Sequence, residues 1–283
     1  MLAATIGVFD GVHRGHRFLI RTLCDEAAAR GLEPAVVVIH PSNLSQITTD
    51  EEQNKLLNSF GIIHILRFDL DDIHQLTAQE FLTLLQERYH VTFLLMGYDH
   101  RFGSDLLTYE QIINAPWLNT LHLNIRHCTP YTEHPTFSSS AAREAITAGD
   151  IERANEILGH PYTLTGTVVH GNAIGRTIGF PTANILPPHD KLLPPPGVYS
   201  GLSTFDFERS GHSTYPALIN IGSNPTVGND HTTIEAYLPD YHGDNFYDQT
   251  VTVSLTKRIR EERHFGSLEQ LQAQITQDVA SIR

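Results

Sequence analysis

Two histidines three residues apart, His13 and His16, follow an apolar run and a glycine-bearing turn in the stretch Ala4-Thr-Ile-Gly-Val-Phe-Asp-Gly-Val-His-Arg-Gly-His16. Imidazoles at that spacing share one helical face and can donate hydrogen bonds to a phosphate and to charge developing on it. A helix starting near Val12 leaves its first N–H groups unpaired, and the partial positive charge there favours anions. Gly7, Gly11 and Gly15 lack Cβ atoms, so a polyphosphate can approach the backbone closely. Gly7, Phe9, Asp10, Gly15 and the two histidines form the candidate phosphate-binding set. Neither G-x-x-x-x-G-K-[ST] nor G-x-G-x-x-G occurs in this stretch, which excludes the two best-known phosphate loops there. Two competing readings stand beside it, histidines capping an ordinary helix and a zinc pair; the second has no third ligand at recognisable spacing.

A second chemistry-bearing stretch runs from Gly166 to Ile185. Gly171 and Gly175 flank a turn able to fold over phosphates, Arg176 supplies a cation, and Phe180-Pro181 makes a corner. Thr182 and Asn184 lie two apart on an extended strand, so both side chains face one side. A hydroxyl beside an amide oxygen suits Mg²⁺, whose other ligands are water and substrate phosphates; a polar strand in a hairpin-rich barrel is the bland alternative. A third stretch, Phe137-Ser-Ser-Ser-Ala-Ala-Arg143, opens a helix with hydroxyls and places Arg143 one turn in. Ser138, Ser139 and Arg143 make a second candidate anion cradle, unless the serines serve only as an N-cap.

These residues need a scaffold. Apolar runs at Ala3–Val8, Ala35–Ile39, Ile62–Leu66, Thr92–Met96 and Leu121–Ile125 alternate with helical patterns. Continuous hydrophobicity means burial on both faces, as in a parallel sheet covered by helices, with ligands beyond the strands' carboxyl ends. Gly31 closes one helix, and Thr77-x-x-Glu80 is a capping box for another. Gly149-Asp150 stops one helix and starts the next, which ends at Gly159 and Pro161. From Tyr162 the pattern becomes short alternating strands between turn residues, as in an antiparallel barrel. Ser267-x-x-Gln270 caps a terminal helix whose Leu268, Leu271, Ile275, Val279 and Ile282 form a stripe expected to pack as core. Two domains follow, 1–160 and 161–283.

Composition narrows the partners. A net charge of -13 over 283 residues argues against a nucleic-acid or anionic-membrane surface. No window approaches a membrane span, and the charged start is unlike a signal peptide, so a cytoplasmic chain is expected. Cys24 and Cys128 show no C-x-x-C spacing, which fits free thiols.

The first stretch resembles the G-x-F-D-G-x-H-x-G-H signature of the nucleotidyltransferase superfamily, and specifically bacterial bifunctional riboflavin kinase/FMN adenylyltransferases. Gly97-Tyr-Asp-His-Arg-Phe-Gly103 is similar to that family's G-x-D-x-x-F-G segment, which assigns Asp99, Arg101 and Phe102 to flavin and nucleotide binding. Phe137–Arg143 looks like its S-S-T-x-I-R motif. In the second half, Gly175-Arg176 through Phe180-Pro-Thr-Ala-Asn184, with Gly171 shortly before it, closely resembles the riboflavin kinase signature. Gly197-Val-Tyr199, Asn220–Thr226 and Thr233–Leu238 match in the same order. The resemblance implies a Rossmann-like α/β nucleotidyltransferase domain followed by a β-barrel kinase domain with a C-terminal helix. It implies riboflavin, FMN, FAD and ATP as substrates and products, Mg²⁺ on Thr182 and Asn184, Glu235 as catalytic base, and Arg260 at the flavin or nucleotide entrance. The chain departs from the family after Pro41, after Gly103, and at Tyr237 and Tyr247-Asp248. A kinase with a degenerate adenylyltransferase module, a nucleotidyltransferase for another phosphorylated acceptor, and a non-enzymatic flavin binder remain as alternatives.

Overall fold

The computed structural model describes residues 1–41, 44–98, 100–129, 131, 136–171, 174–207, 211–224, 231–242 and 247–282. The chain divides into two compact units, Met1–Ser139 and Ser140–Arg283. The first contains β1 (Leu2–Gly7), α1 (Arg14–Arg30), β2 (Glu33–His40), α2 (Asp50–Asn58), β3 (His64–Asp69), α3 (Leu70–Ile73), α4 (Ala78–Tyr89), β4 (Val91–Met96), α5 (Tyr109–Ile113) and β5 (Asn124–His127). Its five strands are all parallel, in the order β3-β2-β1-β4-β5. Ala4, Ile6 and Val37 pack with Phe81, Leu82 and Leu85 of α4 on one face; Ala3, Val36 and Val38 pack with Ile20, Leu23 and Ala27 of α1 on the other. Each fully buried Leu, Ile or Phe contributes about 2 kcal/mol of transfer free energy. The strand order reverses between β1 and β4, which opens a crevice at their carboxyl ends, at Gly7 and Met96.

Several helix ends follow from local chemistry. Gly31 adopts the left-handed conformation (φ 63°) and closes α1, while Thr77 and Glu80 bond reciprocally at the start of α4. Three of the boundaries that differ from the sequence reading have a local cause. α1 begins at Arg14 rather than Val12, because a 3-10 turn at Asp10–Val12 intervenes and His13 becomes the N-cap. β3 begins at His64 rather than Ile62, since the buried Ile62 donates its N–H to Leu57 O and finishes the α2 turn. β5 begins at Asn124 rather than Leu121, whose N–H closes the preceding 3-10 turn on Leu118 O.

Beyond α6 (Ser139–Ala148) and α7 (Ile151–Leu158), the second unit is built from β6 (Tyr162–Val169), α8 (Ile174–Thr177), β7 (Thr182–Leu186), β8 (Gly197–Phe207), β9 (Gly211–Asn224), β10 (His231–Tyr237), β11 (Thr250–Arg260) and α9 (Leu268–Ala280). The six strands close into an antiparallel barrel in the order β10-β7-β6-β11-β8-β9. Leu164, Ile219, Ile221, Ile234, Val253 and Leu255 are fully buried in it. Residues 140–160, read from the sequence as part of the first domain, fall in the second unit. Asn155 of α7 ties them there: its amide donates to Leu255 O (2.9 Å) and accepts from the Tyr162 N–H (2.7 Å).

α9 starts on Ser267, which accepts from the Gln270 N–H, while the Gln270 side chain bonds Gly266 instead of completing a box. Its apolar stripe does not pack as core. Leu268 is 54% exposed, and Asp278 is the buried residue of the helix. Among the described residues no helix is long and apolar enough to cross a membrane.

Candidate functional site

In the barrel, β7 and β10 pair with Asn184 opposite Glu235 and Thr182 opposite Tyr237. Strand alternation turns Thr182, Asn184 and Glu235 toward one face. Thr182 Oγ1 donates to Glu235 Oε2 at 3.3 Å. The glycine-rich segment lies over this face: a Cβ on Gly171 would overlap the Asn184 amide, and one on Gly175 would overlap the Phe180 carbonyl. Phe180 donates its N–H to Gly175 O (2.8 Å), and its ring meets Tyr237 edge-on at 5.2 Å. Arg176 is exposed on α8. Hydroxyl, amide and carboxylate oxygens together are a hard-donor set of the kind Mg²⁺ takes.

Thr182 and Glu235 open into a cavity of about 570 Å³, within the size range of small-molecule sites. Leu268, Leu271 and Ile275 of α9 form its apolar wall, so the stripe faces a cleft instead of sealing the barrel. Arg260 also lines it, but its guanidinium is committed. Nε and Nη2 donate to Asp278 Oδ2 at 2.9 and 2.8 Å, Nη1 donates to Glu261 O, and Cζ lies 5.8 Å from the Phe265 ring centre. Glu262–Phe265 line the same cavity beside Arg260, and Asp278 was not legible as a site residue, because its partner Arg260 lies eighteen positions away.

At the β1–β4 crevice, a cavity of about 210 Å³ is lined by His13, Gly15, His16, Gly97, Tyr98 and Ser138, with Phe18, Cys128 and Tyr131 among its other walls. The histidine pair and the serine segment read from the sequence thus share one cleft. His13 Nδ1 accepts from the His16 N–H (3.4 Å), which leaves Nε2 as its donor. The two rings stack at 3.7 Å, and the Phe9 ring lies 4.9 Å from His16. Burial, and then the neighbouring His13, hold the His16 imidazole well below its ordinary range, so it is neutral at pH 7. Capping and cavity lining coexist in this pair: the helix-cap reading describes His13 correctly without removing it from the cleft.

Other candidates stand elsewhere. Asp10 braces the turn: its Oδ1 accepts from the Ile47 and Thr48 N–H groups (2.8 and 3.1 Å), and its carbonyl accepts from Ser139 Oγ (2.8 Å). A carboxylate serves this purpose because it is an acceptor only. Phe9 is fully buried, and a Cβ on Gly7 would press on its ring. Arg101 and Phe102 line a separate cavity of about 430 Å³ with Ile39, Ile73 and His100; Phe102 itself is 2% exposed and packs on Phe81. Asp99 lies outside the described residues, as do Ser42 and Asn43 after Pro41 and the end of the Asn220–Thr226 segment. Arg143 sits in the first turns of α6, in the second unit. Among the described residues there is no cluster of three or more His, Cys, Asp or Glu that could hold a metal.

A family model described as FAD synthetase matches residues 1–140, and one described as riboflavin kinase matches residues 158–283. The bifunctional riboflavin kinase/FMN adenylyltransferase of Escherichia coli (strain K12) is 36% identical over 298 residues, covering 99% of this chain and 91% of the relative. The enzyme of the same description from Listeria monocytogenes is 32% identical, covering 98% and 90%. A crystal structure described as a macrolide-efflux protein from Streptococcus pneumoniae superposes with a TM-score of 0.86 at 30% identity, covering 99% of this chain and 93% of that one. Full-length identity to these enzymes, with both family models matched in order along one chain, means that the chain belongs to the bifunctional riboflavin kinase/FMN adenylyltransferase family.

Proposed function

We propose that the chain phosphorylates riboflavin to FMN with ATP in its barrel and adenylylates FMN to FAD with a second ATP in its α/β unit, releasing pyrophosphate. The observation that carries this reading is the grouping of Thr182, Asn184 and Glu235 under Gly171 and Gly175, with Gly175, Thr182 and Glu235 lining a cavity of about 570 Å³. We assign the adenylyl step to residues 1–160 and the kinase step to 161–283; the riboflavin kinase match begins at 158, while residues 140–160 belong to the second compact unit and lie beyond the FAD synthetase match.

In the kinase step Glu235 takes the proton of the terminal ribityl hydroxyl as its oxygen attacks the γ-phosphorus and ADP leaves. The Thr182 hydroxyl orients the carboxylate, and Leu268, Leu271 and Ile275 receive the apolar flavin ring. Thr182 and Asn184 would hold Mg²⁺, which neutralises phosphate charge when bound. Arg176 supplies a cation to the same phosphates. Arg260 braces the cavity wall and shapes the flavin entrance from there.

In the adenylyl step the FMN phosphate is already anionic near neutral pH and attacks the α-phosphorus without a strong base. Nε2–H of His13, the neutral His16 ring, the backbone at Gly15 and the Ser138 segment stabilise charge that moves onto the departing pyrophosphate. Arg101, Phe102 and Asp99 form the flavin side. Chromatographic resolution of riboflavin, FMN and FAD after incubation with ATP and Mg²⁺ tests both steps. His16→Ala should stop FAD formation while FMN accumulates, and Glu235→Ala should stop FMN formation. FAD made at full rate by His16→Ala refutes the first assignment; FMN made at full rate by Glu235→Ala refutes the second.

A further inference from the structure

The turn that leads into α1 holds residues in conformations they rarely adopt. Phe9 (φ 52°, ψ 22°) and Val12 (φ 40°) are left-handed, with Gly11 (φ 77°) between them. A left-handed residue without glycine's freedom persists only where its surroundings over-determine it, and a β-branched valine resists most. Much of that surrounding comes from one segment, Ile47–Gln53, which leads into and begins α2. The Gly11 N–H donates to Thr48 Oγ1 at 3.0 Å. Gln53 Nε2 donates to the carbonyls of Val8 and Phe9, both at 3.3 Å. Asp10 accepts from the Ile47 and Thr48 N–H groups in return. Thr48 and Gln53 are 4% and 3% exposed, so water cannot replace these bonds.

The Gln53 amide has one orientation. Arg67 Nη2 donates to its Oε1 at 3.2 Å and to Asn54 Oδ1 at 2.6 Å, which leaves the amide NH₂ for the turn. The Thr49–Glu52 capping box fixes the backbone between the two contacts. Neither Thr48 nor Gln53 lines the His13–Ser138 cavity. Relaxing Phe9 or Val12 into a right-handed conformation would redirect the chain entering α1 and carry His13 and His16 off that cavity.

We propose that Thr48 and Gln53 are positioning residues for adenylyl transfer, holding the Val8–Val12 turn in the left-handed form that aims His13 and His16 at the phosphates. The proposal rests on the adenylyl-transfer reading above. Thr48→Val removes the acceptor at constant shape, Thr48→Ser retains it, and Gln53→Met removes both donors. The full chain is assayed for FMN adenylylation and, separately, for riboflavin phosphorylation. Thr48→Val and Gln53→Met should each lower the adenylylation kcat on the order of 100-fold, the scale of a misplaced reacting group. KM for FMN and the kinase rate should not move, and Thr48→Ser should keep the rate. Trp117 is the chain's single tryptophan and lies in the first unit, so its fluorescence reports folding there. If Thr48→Val is unfolded by that measure, Gln53→Met decides. Wild-type rates in Thr48→Val and Gln53→Met, equal losses in Thr48→Ser and Thr48→Val, or a change confined to KM for FMN would overturn the proposal. A wild-type chain that makes no FAD from FMN overturns the underlying reading instead.

Discussion

Asp278 is 3% exposed on α9, and Arg260 on β11 is 11% exposed. Asp278 Oδ2 accepts two bonds from Arg260, and Oδ1 accepts one from Gln274 (2.9 Å). Asp278→Asn preserves volume and removes the countercharge from a guanidinium that remains buried. Breaking such a pair from one side costs about 3–5 kcal/mol. The Glu261 carbonyl and the Phe265 ring stay against Arg260, which places the loss at the lower end, about 3 kcal/mol. At roughly 3 °C per kcal/mol for a unit of this size, its melting temperature should fall by about 10 °C. Scanning calorimetry of the full chain measures the shift, and Trp117 fluorescence identifies the transition of the other unit, which should not move. Because α9 carries the cavity wall, KM for riboflavin should rise as well. Arg260→Met combined with Asp278→Leu should regain most of the stability, since a packed apolar pair replaces a buried ionic one at little net cost. A single variant that melts like the wild type, or a double variant that melts as low as the single, refutes the reasoning.

Glu235→Gln should lower the kinase kcat by about 10²–10⁴, the range for a positioned general base, while FAD formation from supplied FMN is unchanged. Gly171→Ala places a methyl group on the Asn184 amide; FMN synthesis should fall and FMN adenylylation persist in the same assay. His16 gives the first unit an acid-side dependence. Its folded-state pKa lies below the ordinary 6.5, so above that pH His16 is mostly neutral in both the folded and the unfolded chain and little is lost. As the pH falls below 6.5 the unfolded chain takes a proton that the folded chain refuses, so stability falls. The slope reaches at most about 1.4 kcal/mol per pH unit. Urea unfolding followed by Trp117 fluorescence should show this slope in the wild type and a shallower one in His16→Asn; equal slopes would refute the assignment.

Features that depend on neighbours in sequence were legible before the fold was known. Gly31 and Gly159 end helices because a left-handed residue is needed there, and Thr77 with Glu80 starts one because side chains three apart meet the free N–H groups. Thr182 and Asn184 face one side by strand alternation alone. The apolar stripe of α9 was equally legible as a stripe, but whether it meets a packed core or a cleft depends on what lies opposite. Asp10 shows the same limit: its place in a glycine turn suggested a phosphate contact, whereas Ile47 and Thr48, thirty-seven and thirty-eight positions away, claim its carboxylate.

Residue order alone therefore sets the local geometry, since capping bonds and strand alternation act within a few positions: His13 and His16 on one turn, Thr182 and Asn184 on one face. Tertiary structure decides what meets them. Barrel closure brings Glu235 opposite Asn184, the β1–β4 reversal puts Ser138 and His13 in one cavity, and the segment leading into α2 presents Thr48, and α2 itself Gln53, to the strained turn. Those meetings depend on long-range register and packing, which no short window of sequence contains.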